Sequence, residues 1–261
     1  MKCCRHLFAS LAALMSALLA PPVHAGFPDA IQVHADTISE VGQVGMDLHL
    51  NTTPNGRRTA DYPGEVLPHR GWRFSTGLAY GLAPNWEAGL SLAASRDADG
   101  STHPAGIKLG LKWLPVRPAD DQTGWFLGGN AELARFKQRF SESRSTAELL
   151  LIAGWRNADW LWAVNPKFGW NLSDGLGSKT ADVAVSAKLA RGITPRLQLG
   201  LEFHAELGTT RRILPASEQS QVLFLTVDTY VEDWGLNFGI GRGLTKAADE
   251  LTLKAMVSVP F

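Results

Sequence analysis

Twelve stretches of the chain, each about ten residues long, alternate apolar with polar side chains between Val44 and Phe261. In the last, Leu251, Leu253, Ala255, Val257, Val259 and Phe261 share one parity, with Thr252, Lys254, Met256 and Ser258 between them. Side chains two apart lie on one face of a strand, so each stretch reads as a strand with one greasy side. The same parity recurs in Leu78, Tyr80 and Leu82, in Trp160, Trp162 and Val164, and in Leu197, Leu199, Leu201 and Phe203. Ten residues are what a tilted strand needs to cross a bilayer. The pattern predicts an all-β fold, a 12-stranded antiparallel transmembrane up-and-down β-barrel over residues 41–261.

The links alternate in length. Ala83-Pro84-Asn85, Asn157-Ala158-Asp159, Gly192 to Pro195 and Glu232-Asp233 are tight, whereas 53–70, 97–105, 137–145, 172–179, 209–220 and 243–250 are longer. Only Pro115 to Thr123 is long where a short link is due. Short periplasmic turns and longer outer loops are the habit of membrane barrels. The tryptophans agree. Trp86, Trp113, Trp125, Trp155, Trp160, Trp162 and Trp234 flank the short-link end, and Trp72 and Trp170 the other. A soluble β-protein would bury tryptophans at strand centres; a membrane barrel sets them in interfacial girdles.

The N-terminus reads as an export signal. Lys2 and Arg5 precede an apolar run from Leu7 to Ala20, and Val23-His24-Ala25 suits cleavage after Ala25. Residues 1–25 are therefore expected to be a signal peptide, and 26–40 a mature N-terminal segment, either a lumen plug or a periplasmic arm. Both cysteines, Cys3 and Cys4, fall in the signal, so the mature chain has no thiol for disulfides, catalysis or metal binding. Its 23 basic and 25 acidic residues leave a net of −2, which gives no reason to expect nucleic acid as a partner. No cofactor or metal is expected either.

A terminal aromatic strand behind a signal peptide resembles the C-terminal signature of Gram-negative outer-membrane β-barrels. That resemblance implies an outer-membrane location, lipid around the barrel, and recognition of the strand ending in Phe261 by the barrel-assembly machinery. The stretch Gly77 to Leu90, with Tyr80-Gly81-Leu82-Ala83-Pro84-Asn85-Trp86, is similar to a hairpin of the "MetA-pathway of phenol degradation" family of outer-membrane proteins. Gly106 to Trp113 and Trp234 to Thr245 resemble it too. The resemblance implies transport of small, often aromatic, solutes and brings no catalytic residues.

At the parity opposite each greasy set lie the charges that must face the lumen. They include Asp47, Glu87, Arg73, Lys108, Lys112, Glu132, Glu148, Arg156, Lys167, Asp182, Lys188, Glu202, His204, Glu206, Asp228 and Lys254. A lipid-facing Lys or Arg at mid-bilayer costs about 2–4 kcal/mol, which enforces the segregation. Counting from the tight turns sets Glu148 opposite Lys167, Asp182 opposite His204, and Asp228 opposite Asn237. Lys108, Glu132, Glu148, Lys167 and Asp182 then form a charged belt at one height. It reads either as a constriction passed by a solute or as an ion-pair network filling a narrow barrel. Leu150, Ile152, Leu161 and Ala163 also face inward, to line an aromatic path or to pack the mature N-terminus. The favoured function is a narrow charged channel, its lumen residues being Lys108, Glu132, Glu148, Lys167, Asp182, Glu202, His204, Asp228 and Lys254. The alternatives are a structural or adhesive barrel, and a lipid hydrolase built on His49, His103, His204, Ser141 or Ser143, none of which sits in a recognisable catalytic motif.

Overall fold

The computed structural model describes residues 29–119, 123–173 and 180–261. The predicted signal peptide, its cleavage site and Gly26 to Pro28 lie outside the described residues. The strands are β1 (Val44–Asn55), β2 (Trp72–Ala83), β3 (Trp86–Arg96), β4 (Thr102–Val116), β5 (Gly124–Phe136), β6 (Ser145–Arg156) and β7 (Trp160–Asn171). They continue as β8 (Asp182–Thr194), β9 (Leu197–Thr209), the two-residue β10 (Arg212–Ile213), β11 (Ser220–Val231), β12 (Trp234–Gly243) and β13 (Leu251–Pro260). Each long strand pairs antiparallel with its neighbours in the chain, β9 with β11 across β10, and β13 returns to β1. Twelve long strands thus close a barrel with no free edge, and β10 only lengthens the β9 hairpin into a loop. At the seam, Met46 faces Val259 and the Phe261 amide donates to the Val44 carbonyl (2.8 Å).

Parity determines which side chains point out. Leu48, Leu78, Leu92, Leu109, Leu127, Leu151, Leu189, Leu201, Leu225, Ile240 and Leu253 are all exposed on the outer wall. An apolar surface of this extent is stable against lipid rather than water. The tryptophans gather as expected: Trp86 stacks on Trp113 with centroids 5.5 Å apart, and Trp125 meets Trp162 edge to face at 5.3 Å. Inside, bulky rings lie over glycines of the adjacent strand. Phe126 faces Gly154, Phe136 faces Gly106 and Phe224 faces Gly241, and a Cβ on any of the three glycines would overlap the ring.

The tight turns correct two predicted registers. Asn157 Oδ1 accepts from the amides of Asp159 (2.9 Å) and Trp160 (2.7 Å), so the β6–β7 turn consumes an extra pair of residues. Trp155 then faces Trp162, and Glu148 faces Gly169, not Lys167. In the β8–β9 hairpin the strand runs on through Ile193 and Thr194, leaving Pro195-Arg196 as the turn; Ala190 therefore faces Gly200, and Asp182 faces Thr209, not His204. The β11–β12 register is as predicted, with Val231 opposite Trp234 and Asp228 opposite Asn237. His103 and Pro104, read as loop from the sequence, belong to β4, where Ala105, the extra residue opposite Ala93 and Ala94 of β3, makes a bulge next to the proline.

Candidate functional site

The site is built around a strand-less stretch, residues 29–40, that lies inside the barrel. Its partners come from walls on all sides. Asn51 of β1 donates to the Asp29 carbonyl (2.6 Å), and Glu87 of β3 accepts from both the amide (2.7 Å) and the hydroxyl (2.8 Å) of Ser39. Lys108 of β4 pairs with Asp29 (2.9 Å), and Lys112 below it donates to the Thr37 carbonyl. Arg156 of β6 pairs with Asp36 (3.1 Å), Asn165 of β7 exchanges bonds with both the amide and the carbonyl of His34, and Lys254 of β13 donates to the Ile31 carbonyl (3.1 Å). The segment enters beside Gly81 at the tight-turn end, where the Gly42 amide donates to the Gly81 carbonyl (2.8 Å). A peptide without its own hydrogen-bond ladder must satisfy its backbone groups on side chains, and these polar wall residues supply that need.

Between the polar anchors, Val33 and Ile38 insert into an apolar cluster with Leu114, Phe126, Ile152 and Ala163, flanked by Leu150 and Leu161. This decides between the two readings of the inward apolar strip. It packs the N-terminal segment, because seven polar wall residues hold Val33 and Ile38 against it.

Above the segment, on the long-loop side, lies a cavity of about 550 Å3. Asp29, Ile31 and His34 form its floor, and Arg57, Asp61, Tyr62, Glu65, Glu142 and Asp249 its mouth. The mouth is organised by the loop 56–71. Arg57 holds Glu65 through two bonds (2.7 and 3.0 Å) and Asp61 at 3.0 Å, while its amide donates to Asp249 of the loop before β13 (2.8 Å). Burial opposes the charge on Arg57, but the Glu65 bond and the charges of Glu65, Asp61 and Asp249 outweigh it and raise its pKa. The Val66 amide donates to the Arg139 carbonyl (2.8 Å), and Val66 packs on Ala93, Ala105, Phe136 and Phe140, so the loop is tied down on both flanks.

Of the lumen residues read from the sequence, Lys108, Glu132, Glu148, Lys167, Asp182 and His204 all line this cavity. The Glu148–Lys167 pair forms at 3.4 Å even though the register is displaced, because the two now meet diagonally. Glu132 stands directly opposite Glu148 and accepts from Asn130 (2.8 Å). Glu202, Asp228 and Lys254 do not line the cavity. They form a separate buried network: Glu202 meets Lys254 (2.5 Å), Lys188 (3.1 Å) and His204 (3.4 Å), while Asp228 meets Lys188 (2.8 Å) and Asn237 (2.8 Å). The network lies beside the segment, whose Ile31 carbonyl accepts from Lys254 (3.1 Å). Sequence reasoning missed Asp29, Arg57, Asp61, Glu65, Glu142 and Asp249, since loops have no strand parity by which to read an inward face.

The hydrolase candidates have other partners. His103 pairs with Asp97 (3.2 Å), Ser143 donates to the Ser145 carbonyl (2.8 Å) and meets Ser173 (3.2 Å), and His204 lies against Glu202. His49 borders a smaller cavity of about 140 Å3 beside the segment, with Asp47, Glu87 and Lys112.

No family model and no curated protein matches the sequence, so the likeness to the phenol-degradation family gains no support there. Solved structures do match. The KdgM porin in complex with disordered oligogalacturonate aligns over 83% of this chain and 99% of its own, with TM-score 0.56 at 7% identity. The COG4313 outer membrane channel from Pseudomonas putida F1 aligns over 89% of this chain and all of its own, with TM-score 0.55 at 14% identity. The NanC porin aligns over 84% and 98%, with TM-score 0.50 at 9% identity. At such identities the likeness is one of fold: the chain is a 12-stranded barrel of the kind found in outer-membrane porins.

Proposed function

We propose that this chain is an outer-membrane channel through which small polar solutes pass, entering by the vestibule under loop 56–71 and leaving past the lumenal segment 29–40. The observation that carries the reading is a closed barrel enclosing a cavity of about 550 Å3 whose wall is rich in charged side chains. Channel proteins share the fold at the level of TM-scores of 0.50 to 0.56. An aromatic solute, implied by the family resemblance, has weaker support, since the inward apolar strip is occupied by Val33 and Ile38.

The segment narrows the lumen in this reading. Its anchors are mostly ionic or single hydrogen bonds, which a crowded charged environment can exchange. The terminal strand would be the assembly signal, with Phe261 largely exposed at the barrel's lower rim, and residues 1–25 the export signal removed before insertion.

Planar-bilayer recordings of refolded protein test the proposal. Discrete conductance steps are expected, and removal of residues 29–40 should enlarge them several-fold. A barrel that folds but passes no current, with or without the segment, would defeat the channel reading.

A further inference from the structure

We infer that the vestibule makes this pore select cations over anions, an inference that rests on the channel reading above. Nine carboxylates line the cavity against four basic side chains, a net of −5. The mature chain as a whole carries only −2, so the excess is a property of the cavity and not of the composition. Negative charge has been gathered in the vestibule, while Lys112, Arg156, Lys188 and Lys254 stand outside its lining, on the segment and the buried network.

Three of the four basic groups are each held closest by acids of the same cavity, and the count of nine against four leaves the acids in excess. Lys108 is held by Asp29 (2.9 Å), Lys167 by Glu148 (3.4 Å), and Arg57 by Glu65 and Asp61. Glu132 remains at the floor, opposite the carboxylate of Glu148 and bonded to the neutral amide of Asn130. At the mouth, Glu142 is exposed on its loop and faces the same space. Carboxylates at both the entrance and the floor put a continuous negative potential along the path, in a cleft whose protein walls focus the field.

A potential of a single kT favours monovalent cations over anions by about sevenfold, and clefts of this kind reach several kT. The pore should therefore pass potassium over chloride by about seven to one or more at low salt. The preference should shrink as ionic strength rises, since the screening length falls from about 10 Å at 0.1 M to about 3 Å at 1 M. Among organic solutes of similar size, arginine should enter proteoliposomes faster than glutamate.

Reversal potentials under a potassium chloride gradient test this. Glu132→Gln and Glu142→Gln remove charge at the floor and the mouth, and each should lower the cation preference from about sevenfold to about fivefold, with Glu132→Lys lowering it to about threefold. Heat-modifiable migration in SDS confirms that each variant is folded, and Glu142, lying on a loop, is the variant least able to perturb the barrel. Clear conductance with equal or anion-favouring permeability would overturn the inference while leaving the channel intact. A preference unchanged in all three folded variants would also overturn it. A folded barrel that never conducts would remove the channel reading and this inference together.

Discussion

Neutralising Glu202 by Glu202→Gln should destabilise the barrel more than any other single charge removal in the lumen. Glu202 is 1% exposed and joins two ammonium groups, Lys254 at 2.5 Å and Lys188 at 3.1 Å. The two lysines would fare differently after the change. Lys188 keeps Asp228 at 2.8 Å, whereas Lys254, itself only 6% exposed, keeps the Ile31 carbonyl at 3.1 Å and the face of Phe224 at 5.4 Å. Breaking a buried ion pair by removing one partner costs about 3–5 kcal/mol, because the other charge stays buried and uncompensated. The carbonyl and the ring face soften that penalty, so about 3 kcal/mol is expected. Urea unfolding of protein folded in lipid vesicles, followed by tryptophan fluorescence, measures it. Adding Lys254→Met should recover more than half of the loss, since the double variant buries no lone ammonium at that point. A loss below about 1 kcal/mol for Glu202→Gln, or a double variant no better than the single one, would refute the argument.

Other expectations rest on separate contacts. Gly241→Ala places a methyl group into the Phe224 ring and should cost about 1–3 kcal/mol, a penalty that largely disappears in the Phe224→Leu background; additive losses in the unfolding midpoints would count against ring-over-glycine packing. Arg57→Ala should release loop 56–71 and speed its cleavage by added protease, with the barrel strands still protected. The raised pKa of Arg57 means its contribution is present below the arginine range and lost only as pH climbs through it, so loop protection should not vary between about pH 6 and 10; a change across that window would exclude an arginine clamp. Replacing Phe261 with Ala should lower the amount of barrel recovered in the outer membrane without changing the stability of refolded protein, read by fractionation and by urea titration in parallel.

The barrel was legible from the chain because its physics is local. Strand side chains alternate with a period of two, and lipid penalises any charge on the outer parity, so residues such as Leu109 and Lys108 declare their faces without reference to distant parts. The same reasoning located the belt of Lys108, Glu132, Glu148 and Lys167, which the structure brings to one cavity. Register was another matter. Whether a turn spends two residues or four depends on details such as the Asn157 side chain capping Asp159 and Trp160, and one such choice moves every pair in the hairpin. The vestibule lay further still from what a sequence displays. Its floor is a segment without periodicity, brought against six strands by contacts up to 223 positions apart, and its mouth is a loop folded by Arg57 onto acids on both sides of it. Parity settles which side of the wall a side chain faces, but the occupant of the lumen is decided by long-range contacts that exist only once the wall has closed.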